Sequence, residues 1–298
     1  MANLKEIKKR IGSTQSMRQV TRTMEMVSTA KIRLAQQRVE HARPYAVALE
    51  KILSRVTQVS KDESHPLLAV HGEKKRVMII SIASDRGQAG AFNSNVIALT
   101  EAQMAAAAEA EATVELVCIG RKTAAYFRYR NIEPDLALEG SSGQPSYEES
   151  KELADRIIAE YSDAVIDEVQ LIYNRFVNVA VQRAEVSALL PIGSGSSPKP
   201  DATPETDASG AEVDYLFEPS AQQVLATLLP SYIEALVYQA LLESAASEHG
   251  ARRTAMKAAT DNAETMIHNL TRSYNRARQA AITTEIAEIV GGAAALEG

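Results

Sequence analysis

Two long stretches at opposite ends of the chain, both poor in helix-breaking residues, constrain the fold most. Between Leu4 and Val59 the sequence contains one glycine, Gly12, and one proline, Pro44. Apolar side chains recur there at intervals of three and four, with a break at Lys31, and they are Val20, Met24, Val27, Leu34, Tyr45, Leu49, Ile52, Val56 and Val59. This spacing predicts a helix with a heptad-like stripe, roughly 80 Å long, with a possible kink at the proline.

The C-terminal stretch has the same character. Ser220 and Gln223 have the spacing of a reciprocal helix cap, and Pro230 should bend the helix that follows them. Farther on, small and apolar residues step by threes and fours at Met256, Ala259, Ala263, Ile267, Leu270, Tyr274, Ala277, Ala281 and Thr284. Such a repeat is typical of a coiled coil, and the middle of the chain supplies too few helices for an ordinary bundle. We therefore expect the two terminal helices to pair with each other in antiparallel orientation.

The middle of the chain alternates buried-strand and helix patterns. Strands are predicted at 76–83, 114–119, 169–173 and 178–188, and helices at 94–111, 122–129 and 147–161. A strand, a helix and a second strand in succession predict a parallel unit, and the last two strands predict a hairpin near Asn174. We expect a Rossmann-like, partly parallel sheet.

These patterns give an α/β fold combined with a long antiparallel α-helical coiled coil formed by the N- and C-terminal helices. We assign residues 1–60 to the first coiled-coil helix and residues 74–192 to the α/β domain. Residues 193–211 are nearly all small, polar or acidic residues and prolines, a composition that predicts a flexible loop. Residues 212–298 then form a further short segment and the C-terminal coiled-coil helix.

Charge is distributed unevenly and indicates a partner with acidic groups. Residues 1–58 carry a net charge of +8, whereas residues 59–219 carry −12 and residues 220–298 carry −2. Nucleic acid would be an alternative partner, but the basic stretch has no interleaved aromatics and matches no nucleic-acid module. It also resembles an organelle transit peptide in composition, although a bacterial cytoplasmic protein is the simpler interpretation. The longest apolar runs, such as 77–83, are too short to cross a bilayer, so any membrane contact should go through partners.

The residues that could support chemistry form no recognisable site. The loop from Ser84 to Asn93 follows the first strand, where doubly wound sheets bind ligands, but its glycines fit neither the dinucleotide fingerprint nor the phosphate loop. The five histidines are scattered, and Cys118 is the single cysteine and lies in an apolar run. We expect no catalytic residue, no metal and no cofactor.

Several long motifs nevertheless resemble one known family. They are Leu4 to Ile11, Thr23 to Lys31, Ser247 to Arg252, Ala255 to Asn262 and Asn275 to Glu285. Together they resemble the gamma subunit of F-type ATP synthases over the whole chain except the loop 193–211. The family pattern Ser-Asp-Arg-Gly-Leu-Cys-Gly is kept at 84–87 and at Gly90, and it differs at Gln88 and Ala89.

This resemblance implies a non-enzymatic rotor. The coiled coil would be the central stalk inside a ring of alpha and beta subunits, and the foot would join the epsilon subunit and the membrane c-ring. Rotation driven by protons would thereby be coupled to ATP synthesis, at the cytoplasmic face of the bacterial inner membrane. The resemblance places contacts with the ring, or coupling between the two helices, at Met24, Arg252, Arg278, Gln279, Thr283 and Glu285. It places contacts with epsilon and the c-ring at Tyr215, Phe217 and Glu218.

The resemblance also bears on regulation and on alternatives. The loop 193–211 contains no cysteine, which excludes the thiol switch of photosynthetic relatives. Two other functions fit the residue patterns alone: an α/β enzyme that dimerises through helical arms, and a coiled-coil tether with a ligand-sensing domain. The enzyme should show turnover in isolation, and the tether should self-associate without ATPase subunits.

Overall fold

The structure is a computed structural model that describes residues 2–59, 65–72, 75–192 and 220–296. The predicted loop 193–211 and the predicted foot residues Tyr215, Phe217 and Glu218 lie outside these ranges. Contacts divide the chain into two compact units. The terminal unit comprises Met1–Ser28 and Arg253–Gly298, and the α/β unit comprises Thr29–Arg252. The finer division at residues 60, 74, 192 and 212 stays a prediction.

A five-stranded sheet organises the α/β unit. Its strands are β1 (Arg76–Ile82), β2 (Thr113–Ile119), β3 (Leu136–Leu138), β4 (Glu168–Phe176) and β5 (Gln182–Leu190). Their order is β3-β2-β1-β4-β5, with β1 parallel to β2 and β4, β2 parallel to β3, and β5 antiparallel to β4. The partly parallel, Rossmann-like sheet is therefore confirmed. Strand β3 was not predicted from the sequence, because it has only three residues.

The predicted hairpin position was wrong. Asn174 lies inside β4, is 2% exposed, and donates a hydrogen bond from Nδ2 to the carbonyl oxygen of Phe92 at 3.0 Å. This partner lets a polar residue stay buried within the strand, so the strand continues. The turn comes later, where Asn178 and Val181 exchange backbone hydrogen bonds of 3.1 and 3.2 Å.

Helices cover both faces of the sheet and bury its alternating side chains. Met78, Ile80 and Ile82 of β1 pack in one core cluster with residues of α4 (Tyr147–Ser162) and of the two terminal helices, α1 (Ala2–Val59) and α5 (Ala221–Leu296). Val77 and Ile79 pack in a second cluster with α2 (Phe92–Glu109) and α3 (Arg121–Tyr129). A period of two places successive side chains on opposite faces, as a strand buried on both sides requires.

The terminal helices are continuous through their prolines. Pro44 lies inside α1 and Pro230 inside α5, and α5 begins one residue after Ser220, whose Oγ accepts a hydrogen bond from the Gln223 amide at 3.2 Å. The predicted start of the C-terminal helix is thus confirmed. An 18-residue window of α5 is apolar enough, by length and composition, to cross a membrane, but 56% of it is buried inside the protein. A core helix of this kind passes the same test.

The two helices run antiparallel, as shown separately in each unit. In the terminal unit Thr21 Oγ1 and Thr260 Oγ1 share a hydrogen bond of 2.8 Å, and Arg18 pairs with Glu264 at 3.5 Å. In the α/β unit, α1 residues pack with α5 residues in one small cluster that includes Ala35, Val39, Leu242 and Ala246. The expected fold class is therefore confirmed.

The predicted stripe of α1 was wrong at five positions and right at two. Val20, Val27, Leu34, Tyr45 and Ile52 are exposed, whereas Leu49 and Val56 are buried as predicted. The buried side chains that were missed are Thr21, Ser28, Ile32, Ala35, Val39, Ala46 and Leu53. Small and hydroxyl-bearing side chains allow two helices to approach closely, and the hydrogen bond between Thr21 and Thr260 satisfies their polar groups. Periodicity alone selects larger apolar residues, and so it selected the wrong face over the first part of α1.

The predicted stripe of α5 lies closer to the observed one. From Met256 onward the less exposed positions are Met256, Ala259, Thr260, Ala263, Ile267, Leu270, Tyr274, Ala277 and Ala281. Thr260 was missed, and Thr284 is exposed.

We predict that Gly120→Ala abolishes folding or lowers the free energy of unfolding by more than about 3 kcal/mol. Gly120 has φ +97°, and an added Cβ would overlap the carbonyl oxygen of Ala83. Gly140→Ala is the matched control, since Gly140 has φ +104° with open space around its Cβ position. Gly140→Ala should lower the free energy of unfolding by only about 1–2 kcal/mol, because it adds backbone strain but no overlap. Equal losses in the two variants, measured by denaturant unfolding, would contradict the steric argument.

Candidate coupling site

The loop that follows β1 lies at the switch point of the sheet. The chain leaves β1 for β2 on one side, and β4 later pairs with β1 on the other side. In doubly wound sheets this crevice at the carboxyl ends of the strands commonly holds a ligand. Here the loop carries the sequence Ser84, Asp85, Arg86 and Gly87.

Asp85 holds three segments of the α/β unit together. Its carboxylate accepts hydrogen bonds from the backbone amides of Arg121 at 3.0 Å, Gly140 at 2.9 Å and Ser142 at 3.2 Å. The hydroxyl of Ser142 lies 2.9 Å from the same carboxylate. Burial opposes ionisation, but these hydrogen bonds outweigh it and lower the pKa of Asp85 below its ordinary value. The loop is therefore fixed by a charged group whose bonding capacity is used within the protein.

Arg252 of α5 attaches to this loop. Its Nη2 lies 3.3 Å from each of the carbonyl oxygens of Arg86 and Gly87, and its Nη1 lies 2.7 Å from Glu248, one turn earlier on α5. Arg252 is 8% exposed and Glu248 is 4% exposed. An arginine with several fixed donors suits such a buried position, because both carbonyl oxygens and a carboxylate can be bound at once.

Ser142 connects the two charged groups. Its Oγ lies 3.3 Å from Glu248 Oε2 and also accepts a hydrogen bond from the Asp85 amide at 2.9 Å. A hydroxyl carries one proton, so that proton is shared between the carboxylates of Asp85 and Glu248. We call Asp85, Arg86, Gly87, Ser142, Glu248 and Arg252 the switch-point junction.

Two further residues of α5 contact loops of the same unit. His249 Nε2 lies 3.2 Å from the carbonyl oxygen of Gly143. At Gly250 an added Cβ would lie 3.0 Å from Gln182 Nε2 and 3.4 Å from the carbonyl oxygen of Val179, at the tip of the β4–β5 hairpin. Only a residue without a side chain permits that approach without displacing Gln182. One stretch of α5, residues 248–252, therefore contacts three separate loops.

This arrangement bears on the chemistry that the loop can perform. The Asp85 carboxylate is engaged with backbone amides of the same unit, and the carbonyl oxygens of Arg86 and Gly87 are engaged with Arg252 of α5. Within the described residues no three His, Cys, Asp or Glu side chains form a possible metal site. Cys118 is fully buried, and burial raises the pKa of its thiol to about 11, which makes it a poor nucleophile at neutral pH.

The predicted site residues do not form one cluster. Arg252 lies in the switch-point junction, whereas Met24 is half-buried on α1 in the terminal unit. Farther along α5, Arg278, Gln279, Thr283 and Glu285 are all exposed. The hydroxyl of Thr283 donates to the carbonyl oxygen of Gln279 at 2.9 Å, which is a bond within the helix.

The partners of Arg252 in the junction were not predicted from the sequence. Glu248 could have been found, because a carboxylate four residues before an arginine on a helix commonly pairs with it. Gly250 was a second signal, since a glycine inside a long helix often marks a close approach. Ser142 and His249 carried no local signal, because their contacts join positions 106 residues apart.

The terminal unit exposes apolar side chains on both helices. On α1 they are Met17, Val20, Met26 and Val27, and on α5 they are Met266, Ile282, Ile286, Ile289 and Val290. On α5, Ile282, Ile286 and Ile289 follow helical spacing, so they share one face. Exposed apolar faces of this kind mark surfaces that bind other proteins.

Comparisons with known proteins identify the family to which the chain belongs. A family described as ATP synthase matches residues 3–296. An ATP synthase gamma chain of Desulfitobacterium hafniense is 46% identical over 297 residues, and one of Pelotomaculum thermopropionicum is 47% identical over 297 residues; both alignments cover 100% of each chain.

Solved structures with a similar fold belong to mitochondrial ATP synthases. A chain of the Euglena gracilis mitochondrial ATP synthase, in a structure of OSCP, F1 and the c-ring, has a TM-score of 0.63 at 20% identity. It covers 99% of this chain and 95% of its own. A chain of the central stalk and c-ring of the Tetrahymena thermophila enzyme has a TM-score of 0.58 at 22% identity, covering 80% of this chain and 99% of its own. At these identities the solved structures show a common fold.

We predict a pH dependence of stability that comes from His249. Burial is the main cause that lowers the pKa of His249, and the negative charge of Glu248 and the Gly143 hydrogen bond only partly offset it. The unfolded chain then binds more protons below about pH 6.5, so stability should fall with pH there, by at most about 1.4 kcal/mol per pH unit. In His249→Gln this component should be absent. The loss in free energy of unfolding caused by His249→Gln, measured with denaturant, should therefore be smaller near pH 5.5 than near pH 7.5.

His268→Gln is the control, since His268 is exposed on α5. Its substitution should change the free energy of unfolding little, because an exposed side chain on a helix makes few contacts. A profile of His249→Gln that parallels the unmodified protein would show that this histidine does not titrate on unfolding.

Proposed function

Because the chain belongs to the ATP synthase gamma chain family, we propose that it transmits rotation of the proton-driven c-ring to the catalytic alpha/beta ring. It is a gamma subunit of the central stalk of F-type ATP synthase and is not itself the catalyst. By turning inside the ring, it would couple proton translocation to ATP synthesis. The alpha and beta subunits, the epsilon subunit and the c-ring are its proposed partners.

The single observation that carries this proposal is the antiparallel pairing of α1 and α5 with apolar side chains left outside the pair. In the terminal unit the pair is joined through Thr21, Thr260 and neighbouring small residues, so its mutual contact uses few large apolar groups. Exposed Met26, Ile282 and Ile286 remain available to a surrounding protein. A shaft that turns inside a ring needs such an internally paired core and a surface that others can contact.

Charge on α1 supports the same partner. Residues 1–58 carry a net charge of +8, and a partner with acidic loops would be attracted to that surface. We assign contact with the ring, or coupling between the helices, to Met24, Arg278, Gln279, Thr283 and Glu285, and coupling also to Arg252. We assign contact with epsilon and the c-ring to Tyr215, Phe217 and Glu218. These contacts would hold the chain at the cytoplasmic face of the bacterial inner membrane.

Reconstitution tests this function directly. The chain should co-purify with alpha and beta subunits, and the complete complex in proteoliposomes should pump protons when ATP is added. An enzyme that dimerises through its helices would instead turn over a substrate alone. A tether would self-associate and would not be retained by alpha and beta subunits, and either result would reject the proposal.

We predict that Met24→Lys slows coupled turnover more than it harms assembly. Met24 is half-buried on α1, and a lysine there would place an unpaired charge beside the proposed contact with the ring. ATP synthesis and ATP-driven proton pumping should fall by about tenfold, as a penalty near 1.4 kcal/mol implies. Tyr129→Lys adds the same charge at an 84% exposed position of α3 and should leave both rates unchanged. Unaltered synthesis and pumping in Met24→Lys would remove this residue from the coupling surface.

A further inference from the structure

We propose that the switch-point junction is the attachment that carries torque between the α/β unit and α5, with Asp85, Ser142 and Glu248 acting as positioning residues for Arg252. This inference rests on the proposed rotor function and adds the contact through which load passes. Its basis is the geometry around residues 248–252 of α5.

The contacts in the junction are directional. Along most of its contact with the sheet, α5 packs through apolar side chains such as Leu229, Ile233 and Leu236. Such burial resists separation, but it is non-directional and opposes rotation or sliding weakly. Hydrogen bonds and ion pairs lose energy steeply when their angles or distances change. The contacts of Arg252 with Arg86 and Gly87 therefore resist the motions that torque would produce.

The charged pair in the junction is buried. Arg252 and Glu248 lie 2.7 Å apart and are both more than nine-tenths buried. Separating one of them from its partners would leave an uncompensated buried charge, which is among the largest single penalties in a protein. Slippage at this point is thus costlier than slippage at an exposed ion pair such as Arg18 with Glu264.

The junction also leads back to the sheet. Asp85 lies three residues after the end of β1, and its carboxylate holds the amides of Arg121, at the start of α3, and of Gly140, after β3. Force on Arg252 therefore reaches the carboxyl ends of three strands through one carboxylate and two carbonyl groups. A loop tied only to its own backbone could not spread load in this way.

The contact at Gly250 adds a steric stop. Gln182 Nε2 donates to the carbonyl oxygens of Asn178 and Val179, at 3.1 and 3.0 Å, and so holds its side chain on the hairpin. Gly250 lies against this side chain, closely enough that an added Cβ would be 3.0 Å from Nε2. The β4–β5 hairpin and the switch-point loop thus contact the same stretch of α5.

The experiment uses the complete ATP synthase complex in proteoliposomes. Glu248→Gln keeps the shape of the side chain but removes its charge, and Ser142→Ala removes the hydroxyl that connects the two carboxylates. Hydrogen bonds to charged groups are among the stronger ones. Losing one shifts the equilibrium between the intact and the broken junction by roughly tenfold. Both variants should lower the ratio of protons pumped to ATP hydrolysed, and Glu248→Gln should lower it more. Ser141→Ala is the matched control, because Ser141 neighbours Ser142 but its hydroxyl takes no part in the junction.

A covalent bridge separates load transmission from folding. In Ser142→Cys with Glu248→Cys, whose native side chains approach within 3.3 Å, the junction is weakened while the thiols are reduced. Bridging the thiols with a short bifunctional reagent should restore the pumping ratio, although it restores no hydrogen bond. The buried Cys118 is left in place and serves in the unmodified protein as the reagent control.

Three outcomes decide the proposal. A reduced ratio that the bridge restores supports it. An unchanged ratio in Glu248→Gln, with assembly intact, overturns it. Reduced assembly with a normal ratio in the assembled fraction also overturns it, because the junction would then be needed only for folding. Failure of the unmodified chain to assemble or to support pumping would reject the rotor function itself, and it is measured in the same series.

Discussion

A buried guanidinium needs partners on every side that faces the protein, and Arg252 obtains them from two elements at once. Glu248 neutralises it from one turn earlier on α5, and the carbonyl oxygens of Arg86 and Gly87 bind it from the loop after β1. Exposed ion pairs contribute about 0–1 kcal/mol, whereas breaking a buried pair costs about 3–5 kcal/mol. The position of residues 248–252 of α5 within the α/β unit therefore follows from electrostatics as well as from apolar packing.

The loop shows how a fold associated with ligands can serve a structural purpose. Its position at the switch point is that of a nucleotide site, but Asp85 accepts hydrogen bonds from three backbone amides of its own chain. The Asp85 carboxylate is used to hold other loops of the unit, and the carbonyl oxygens of Arg86 and Gly87 are used to bind Arg252 of α5. The position of the loop in the fold therefore does not by itself assign it a ligand.

In the terminal unit, the α1 side chains that face the partner helix are not the largest apolar ones. Thr21 and Ser28 face the partner helix, while Val20 and Val27 are exposed. Burying these valines would gain apolar contact, about 25 cal/mol per Å² of area. Their exposure instead leaves apolar surface for another protein, and the hydroxyl of Thr21 is satisfied by Thr260. A heptad pattern assumes that the largest apolar residues face the partner helix, so it misplaced the stripe of α1.

Local patterns determined the long helices, the cap at Ser220, four of the five strands and the membership of the family, because helix propensity, alternation and motif identity depend on neighbouring residues. They could not determine which face of α1 is buried, that β4 continues through Asn174, or that Ser142 meets Glu248. Those outcomes depend on partners about 80 to more than 100 residues away. Only the tertiary structure decided them, since the energy of burying a polar group is set by whichever distant group can bind it.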